Sequence, residues 1–273
     1  MKNVIYLFFT CGFIACIFFY APVIDAQEKI IIAGTGDSQK LLRDLAAGFE
    51  QNNPGGKIEV PESIGSTGGI RSTAMGKSKL GRVARPIREK EKKYGLSYKL
   101  FAYSPVVFAV NRSVKGIDNL TFEQIIGIYS GRVKRWEELG GKQGKIYIVN
   151  REKGDSTRSS LEKNIPGFKE IKQPAGEIIY STPEAVQILT ENQNTIGYAP
   201  LAMVKSTNLK VLRLNGIEPT QGNVQKGIYM ATVSLGLVWK GQLDGLAAEF
   251  IDYLFSSQAQ RIISEYGAVS VTD

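Results

Sequence analysis

Ile30-Ile31-Ile32-Ala33-Gly34-Thr35-Gly36-Asp37-Ser38 carries the chain from an apolar run into a glycine-broken turn. Beyond the turn, Leu41, Leu42, Leu45, Ala46 and Phe49 recur on one helix face, until Asn53-Pro54-Gly55-Gly56 stops them. A short buried strand feeding an amphipathic helix is the unit of an α/β fold. The unit returns along the chain. Residues 57–60 read as a strand, and Gly68-Gly69 opens a helix. Residues 103–110 read as a buried strand, followed by the capping box Thr121-Phe122-Glu123-Gln124 and a helix bearing Ile125, Ile126 and Ile128. Residues 145–149 are the next strand, with a helix from Asp155. Ser181-Thr182-Pro183-Glu184 opens another helix with a cap, an early proline and an acidic first turn. Residues 196–199 and 227–239 read as strands, and helices over 242–255 and 257–266 close the chain. This alternation predicts an α/β protein with mostly parallel sheets. No internal repeat or low-complexity segment interrupts it.

Composition removes whole classes of chemistry. The 273 residues include no histidine and two cysteines. Histidine-based triads, histidine general bases and histidine-ligated zinc or haem are excluded. Cys11 and Cys16 both lie in an N-terminal apolar run and cannot build a structural disulfide, a four-cysteine zinc site or an iron–sulfur cluster. No metal and no cofactor are expected. After Lys2, residues 4–20 are almost wholly apolar, Pro22 breaks the run, and Ile24-Asp25-Ala26 precedes Gln27. This is the form of a secretory signal peptide cleaved after Ala26, so residues 1–26 are set apart from the mature chain. Two alternatives stand: residues 4–24 are long enough to remain as a bilayer anchor, and Phe13-Ile14-Ala15-Cys16 resembles a lipoprotein signal. Each of the three exports the rest to a periplasmic or other extracytoplasmic space. The net charge of +8 suits anionic partners. The basic residues are scattered rather than massed, which speaks against nucleic acid.

Three strand-to-helix junctions share one composition: Gly34-Thr35-Gly36-Asp37-Ser38, Gly65-Ser66-Thr67-Gly68-Gly69, and the run Arg151-Glu152-Lys153-Gly154-Asp155-Ser156-Thr157-Arg158. Each offers glycine for close backbone approach, hydroxyl donors, and the unpaired N–H groups of a helix start, which suit a bound oxyanion. Arg151 adds a planar fork for tetrahedral oxygens. Any one such loop can equally serve only to cap its helix. Nucleotide binding fits poorly, because the first loop lacks the third glycine of the dinucleotide fingerprint and no phosphate loop ending in Gly-Lys-Ser/Thr is present. Ser160-Leu161-Glu162-Lys163 matches the Ser-x-x-Lys pattern of histidine-free serine hydrolases, an alternative of a different class.

In this order the junctions resemble the phosphate-binding proteins of bacterial phosphate ABC importers, the PstS-like type II periplasmic binding proteins. The segment from Ser63 through Ile70 is similar to the family's Gly-Ser-Ser/Thr-Gly-Gly loop, and Arg151-x-x-Gly154-Asp155-Ser156-Thr157 to its Arg-x-x-Gly-Ser-Gly-Thr loop. Softer similarities are Gly81-Arg82-Val83-Ala84-Arg85-Pro86, the run Ile128-Tyr129-Ser130-Gly131-Arg132 with Trp136, Ile196-Gly197-Tyr198, and Gly267-Ala268-Val269.

The resemblance implies a two-lobed α/β clamp, each lobe a mixed sheet flanked by helices, that closes on phosphate without chemistry. It places one lobe at 27–104 plus 200–273 and the other at 105–199, with crossings near 103–107 and 198–202. It implies a monomer that captures inorganic phosphate or a related oxyanion and delivers it to an ABC-type membrane permease. The ligand set it implies is Gly36, Asp37, Ser38, Ser66, Thr67, Gly68 and Arg85 from the first lobe, and Arg151, Asp155, Ser156 and Thr157 from the second. Two departures stand out: the family's Ser-Gly-Thr is Asp155-Ser156-Thr157 here, and Arg85 stands where relatives carry the carboxylate that accepts the phosphate proton. Asp155 is expected either to take over that acceptor role, with Arg85 strengthening the positive field, or to act only as a helix cap turned away from the ligand. Apart from Asp155, no group in the set is expected to govern binding between pH 5 and 8, so pH dependence should follow the ligand's own ionisation. A ligand-free surface or adhesion module of the same fold is a third reading.

Overall fold

The computed structural model describes residues 28–272. The leader, Cys11 and Cys16 lie outside the described residues. The opening strand, β1 (Glu28–Gly34), passes through a 3-10 turn over Gly36–Ser38 into α1 (Gln39–Asn52). Next come β2 (Gly56–Glu59), α2 (Gly65–Ala74), β3 (Leu80–Val83) and the long β4 (Leu96–Val110). β5 (Asn119–Leu120) and α3 (Phe122–Tyr129) lead to β6 (Tyr147–Arg151) and α4 (Ser156–Asn164). Then follow β7 (Glu177–Ile179), α5 (Thr182–Glu191), β8 (Thr195–Pro200) and α6 (Leu201–Val204). The short β9 (Lys210–Val211), β10 (Arg213–Leu214) and α7 (Gln221–Gln225) precede β11 (Thr232–Lys240). α8 (Gly245–Tyr253), α9 (Ser257–Glu265) and β12 (Val269–Ser270) finish the chain.

The main path of strands runs β2-β1-β3-β11-β4-β8-β6-β7. β1 lies parallel to β2 and β3, and β6 parallel to β7 and β8. β11 is antiparallel to β3 and β4, and β4 is antiparallel to β8. The sheet is therefore mixed, where the alternation of elements predicted mostly parallel strands. The antiparallel members are the long central strands, whose neighbours arrive from distant parts of the sequence, a pairing that local periodicity does not encode. β4 changes partner midway: Leu96 to Pro105 pair with β11, and Val106 to Val110 pair with β8. One continuous strand thus joins the two halves of the sheet, and the chain leaves the second half at Pro200.

Packing follows the apolar faces read from the sequence. Leu41, Leu42, Leu45 and Phe49 of α1 are buried with Ile30 and Ile32 of β1 and with Phe250 of α8. The rings of Phe49 and Phe250 meet edge-on, 5.5 Å apart. In the other half, Phe108, Tyr129, Phe168 and Tyr198 form an aromatic cluster with centroids 5.4–6.2 Å apart. Tyr198 sits there beneath the end of β6, and so links this core to the functional loops. Local boundaries moved in places. α2 begins at Gly65 rather than Gly68, and residues 227–231 precede β11 instead of extending it.

Gly34 joins β1 to the first loop with φ of +147°, and a Cβ there would lie 2.0 Å from the Arg82 carbonyl oxygen. Backbone strain and overpacking act together at such a position. Gly34→Ala should therefore cost about 3 kcal/mol or more of stability, read as a lowered urea midpoint with unchanged slope.

Candidate functional site

The first loop is held from below by a buried arginine. Arg82 on β3 donates from Nε to the Thr35 carbonyl at 2.6 Å and from Nη2 to the Pro61 carbonyl at 2.7 Å, and also reaches the Ile32 carbonyl. Burial pulls the Arg82 guanidinium down to about 10, still charged at neutral pH. Its fork ties the end of β1 to the 61–63 segment and presents the 35–38 turn at the sheet's edge. Within the turn, the Thr35 hydroxyl accepts from the Asp37 amide at 3.3 Å. The Ser38 hydroxyl is fully buried and has no hydrogen-bond partner among the described residues. A buried hydroxyl left unpaired is costly.

The second loop is the N-terminal turn of α2. Ser66 Oγ accepts from the Ala84 amide at 3.0 Å and lies 3.3 Å from Ser156 Oγ at the start of α4. Thr67 Oγ1 accepts from Arg85 Nη2 at 3.1 Å. The remaining reach of Arg85 goes to Glu91, which its two terminal nitrogens grip at 2.7 Å each. Burial disfavours a charged Glu91, yet the fork of Arg85 and the Arg88 amide hold its carboxyl below the usual range. The expected role of Arg85 in strengthening the positive field therefore needs correcting: its charge is neutralised in place.

The third loop is built around Arg151, the last residue of β6, whose side chain is 5% exposed. Its Nε donates to the Ile179 carbonyl at 2.7 Å, Nη1 to Thr182 Oγ1 at 2.6 Å, and Nη2 faces Asp155 Oδ2 at 3.1 Å. Asp155 is the N-cap of α4, accepting from the Arg158 amide at 2.9 Å. It does not turn away: its side chain is 8% exposed and lines the cavity. Behind the loop, Tyr198 Oη accepts from the Arg151 amide at 3.1 Å and donates to Asn150 Oδ1 at 2.7 Å.

These loops enclose a cavity of about 340 Å3 lined by Thr35, Gly36, Ser66, Thr67 and Arg85 on one side and by Arg151, Asp155, Ser156 and Thr182 on the other. Asp37, Ser38 and Thr157 are buried in the same loops but are not among the lining residues. Gly68 departs from expectation: it faces Ile64 one step along α2 and does not line the cavity. Sequence reasoning missed Thr182 and Glu152 as members of the site. In the sequence Thr182 stands as part of an ordinary helix start, and only the fold brings its hydroxyl to Arg151 and Asp37. Asp37 is fully buried, accepting from Thr182 at 2.5 Å and from Thr157 at 3.4 Å. Burial first, then the charge of Asp155, pushes its carboxyl up to about 6, against the pull of Arg151 and the two hydroxyls. Burial likewise raises Glu152. The expectation from unperturbed values does not hold for Asp37 itself, whose buried carboxyl lies well above the usual carboxylate range.

The hydrolase alternative meets a different geometry. Ser160 Oγ donates to the Thr232 carbonyl at 2.7 Å, and Lys163 is exposed. Among the described residues, no three His, Cys, Asp or Glu side chains are grouped to hold a metal ion, and no helix is long and apolar enough to cross a membrane.

Comparison with known proteins gives the class. The model of the PBP superfamily domain matches residues 21–258. The phosphate-binding protein PstS of Bacillus subtilis is 30% identical over 255 residues, which cover 91% of this chain and 82% of that protein. The protein of the same name from Borreliella burgdorferi is 25% identical over 99% of both chains. Among solved structures, a substrate-binding protein from Clostridium perfringens with bound phosphate aligns with a TM-score of 0.80 at 26% identity, covering 90% of this chain and all of that one. An ABC-type phosphate transport receptor from Vibrio cholerae aligns with a TM-score of 0.63 at 25% identity, over 89% of this chain and all of that one. The chain belongs to the PstS-like phosphate-binding proteins of the PBP superfamily, with their two-lobed α/β architecture.

Because the Arg85–Glu91 pair is nearly dry, removing one partner leaves the other charge buried and unpaired. Glu91→Gln should cost about 3 kcal/mol, seen as a fall in Tm at pH 7 that shrinks as acid protonates Glu91 in the parent.

Proposed function

We propose that this chain captures phosphate, or a tetrahedral oxyanion of the same shape, between its two lobes and delivers it to the membrane permease of an ABC importer. The observation that carries the reading is the pairing of Arg151 and Ser156 with Ser66 and Thr35 across one cavity, with the unpartnered Ser38 hydroxyl buried in the loop beside it. Helix starts and neutral hydroxyls hold an anion without requiring a full set of opposite charges. A micromolar complex corresponds to about 8 kcal/mol. Several charge-assisted bonds of about 1.5–3 kcal/mol each can supply that after ordering costs.

The lobes are 27–104 plus 200–273 and 105–199. The partner exchange of β4 after Pro105 supports that division, as does the departure from β8 at Pro200. On this division the Ser66–Ser156 contact, the bond from Arg88 to the Gly154 carbonyl and the bond from Ser160 to the Thr232 carbonyl all join one lobe to the other. Asp155 acts as the acceptor for a protonated ligand oxygen. Its two oxygens have spare lone pairs beyond the Arg158 amide and Arg151, and it borders the cavity. The protein is an exported, non-enzymatic monomer that works without metal or cofactor, and residues 1–26 serve as its export leader.

Isothermal titration at pH 7.5 should give saturable phosphate binding at micromolar concentration or tighter, whereas silence with phosphate, sulfate and molybdate would leave only the surface-module reading. Asn caps a helix as well as Asp does. Asp155→Asn should therefore keep α4 while lowering phosphate affinity relative to sulfate by about tenfold, and unchanged selectivity would remove the acceptor role.

A further inference from the structure

The cleft carries more carboxylates than cations able to answer them. Arg151 pairs with Asp155, lies beside Glu152 and is linked through Thr182 to Asp37, and the fork of Arg85 is occupied by Glu91. An oxyanion entering such a site meets repulsion unless a proton enters as well. Geometry singles out where that proton goes. Asp37 Oδ1 accepts a hydrogen bond from the Thr182 hydroxyl at 2.5 Å, while the Thr182 oxygen accepts from Arg151 Nη1 at 2.6 Å. Thr182 borders the cavity, yet its single O–H points away from any ligand.

We propose that oxyanion capture is coupled to proton uptake at Asp37, a positioning residue that decides whether the Thr182 hydroxyl serves the ligand or the carboxylate. A hydroxyl has one donor and two acceptor sites. With Asp37 ionised, Thr182 spends its donor on Oδ1. With Asp37 protonated, the carboxyl O–H donates to Thr182 Oγ1, which still accepts from Arg151 and turns its own O–H into the cavity. The proton comes from solvent, and one negative charge behind the ligand disappears in the same step. This rests on the capture reading above and deepens it.

The surroundings favour the exchange near neutral pH. Burial and Asp155 raise the Asp37 carboxyl to about 6, with Arg151, Thr182 and Thr157 opposing. Other elements packed against the turn add little. Arg82 of β3 is directed to backbone carbonyls, Glu184 of α5 is exposed, and Lys40 of α1 is paired with Asp44 at 2.6 Å. α6 brings only Leu201, Ala202, Met203 and Val204.

Phosphate affinity measured by calorimetry from pH 5 to 8 tests this in the whole mature chain. The ligand's own ionisation is common to all variants and divides out of their ratios. Asp37→Asn keeps a donor toward Thr182 permanently, so it should bind like the parent at pH 5 and about tenfold more tightly than the parent at pH 8, a one-unit shift on binding being worth a factor of ten. Thr182→Val should lose more affinity at pH 5 than at pH 8, and Thr182→Ser should restore the parent's profile. A ratio of parent to Asp37→Asn that stays flat with pH, or weaker binding by Asp37→Asn at every pH, overturns the coupling. If Asp37→Asn fails to fold, an equal loss in Thr182→Val at both pH values overturns it instead. A parent that binds no phosphate at any pH overturns the capture reading and the coupling together.

Discussion

A guanidinium withdrawn from water must find its partners inside the protein, and Arg151 obtains them from β7, from α5 and from its own loop. The β7 carbonyl of Ile179, the α5 hydroxyl of Thr182, the cap residue Asp155 and the adjacent Glu152 converge on one side chain. Breaking such a set leaves a buried charge without compensation, which is why removing one member of a dry ion network costs more than the network contributes as a whole. β6, β7, α4 and α5 are held in mutual register by this demand. Through Thr182 the same demand reaches Asp37 on the first loop, so the two sides of the cleft share one hydrogen-bonded chain.

Three arginines near the cleft show how context decides what a charge does. Arg85 looks from its position like a source of positive field, but Glu91 lies within its fork and both are largely dry. Arg82 has no carboxylate in contact and spends its donors on backbone carbonyls and the Gln39 side chain, so it acts as a brace under the first loop. Arg151 has the open side toward the cavity and more carboxylates than it can neutralise. Identical side chains therefore serve as a wall, a floor and a cavity-facing cation.

Much of the fold was legible in local pattern. The α1 face of Leu41, Leu42, Leu45 and Phe49, the capping box at Thr121 and Gln124, and the Ser181 cap of α5 each appeared as read. These are short-range features, set by periodicity and by the unpaired amides of a helix start. What escaped was non-local. The pairing of β4 first with β11 and then with β8 joins residues between 86 and 144 positions apart, and no local signal states it. Thr182 illustrates the same limit at the site, since a threonine at a helix start has an ordinary reason to be there.

The sequence by itself determined the donor chemistry: three glycine- and hydroxyl-rich junctions, one of them headed by Arg151, in a chain without histidine. Residue type and helix-start geometry suffice for that, because both are properties of a few consecutive residues. Only the tertiary structure decided which charges are already answered and which carboxylate is pushed upward by burial. Protonation follows burial and the distance to other charges, and those are set by the loops of opposite halves closing on one another. Asp37 is an ordinary loop aspartate in the sequence, and its carboxyl rises to about 6 because the fold buries it and sets it in the field of Asp155, against the opposing pull of Arg151, Thr182 and Thr157.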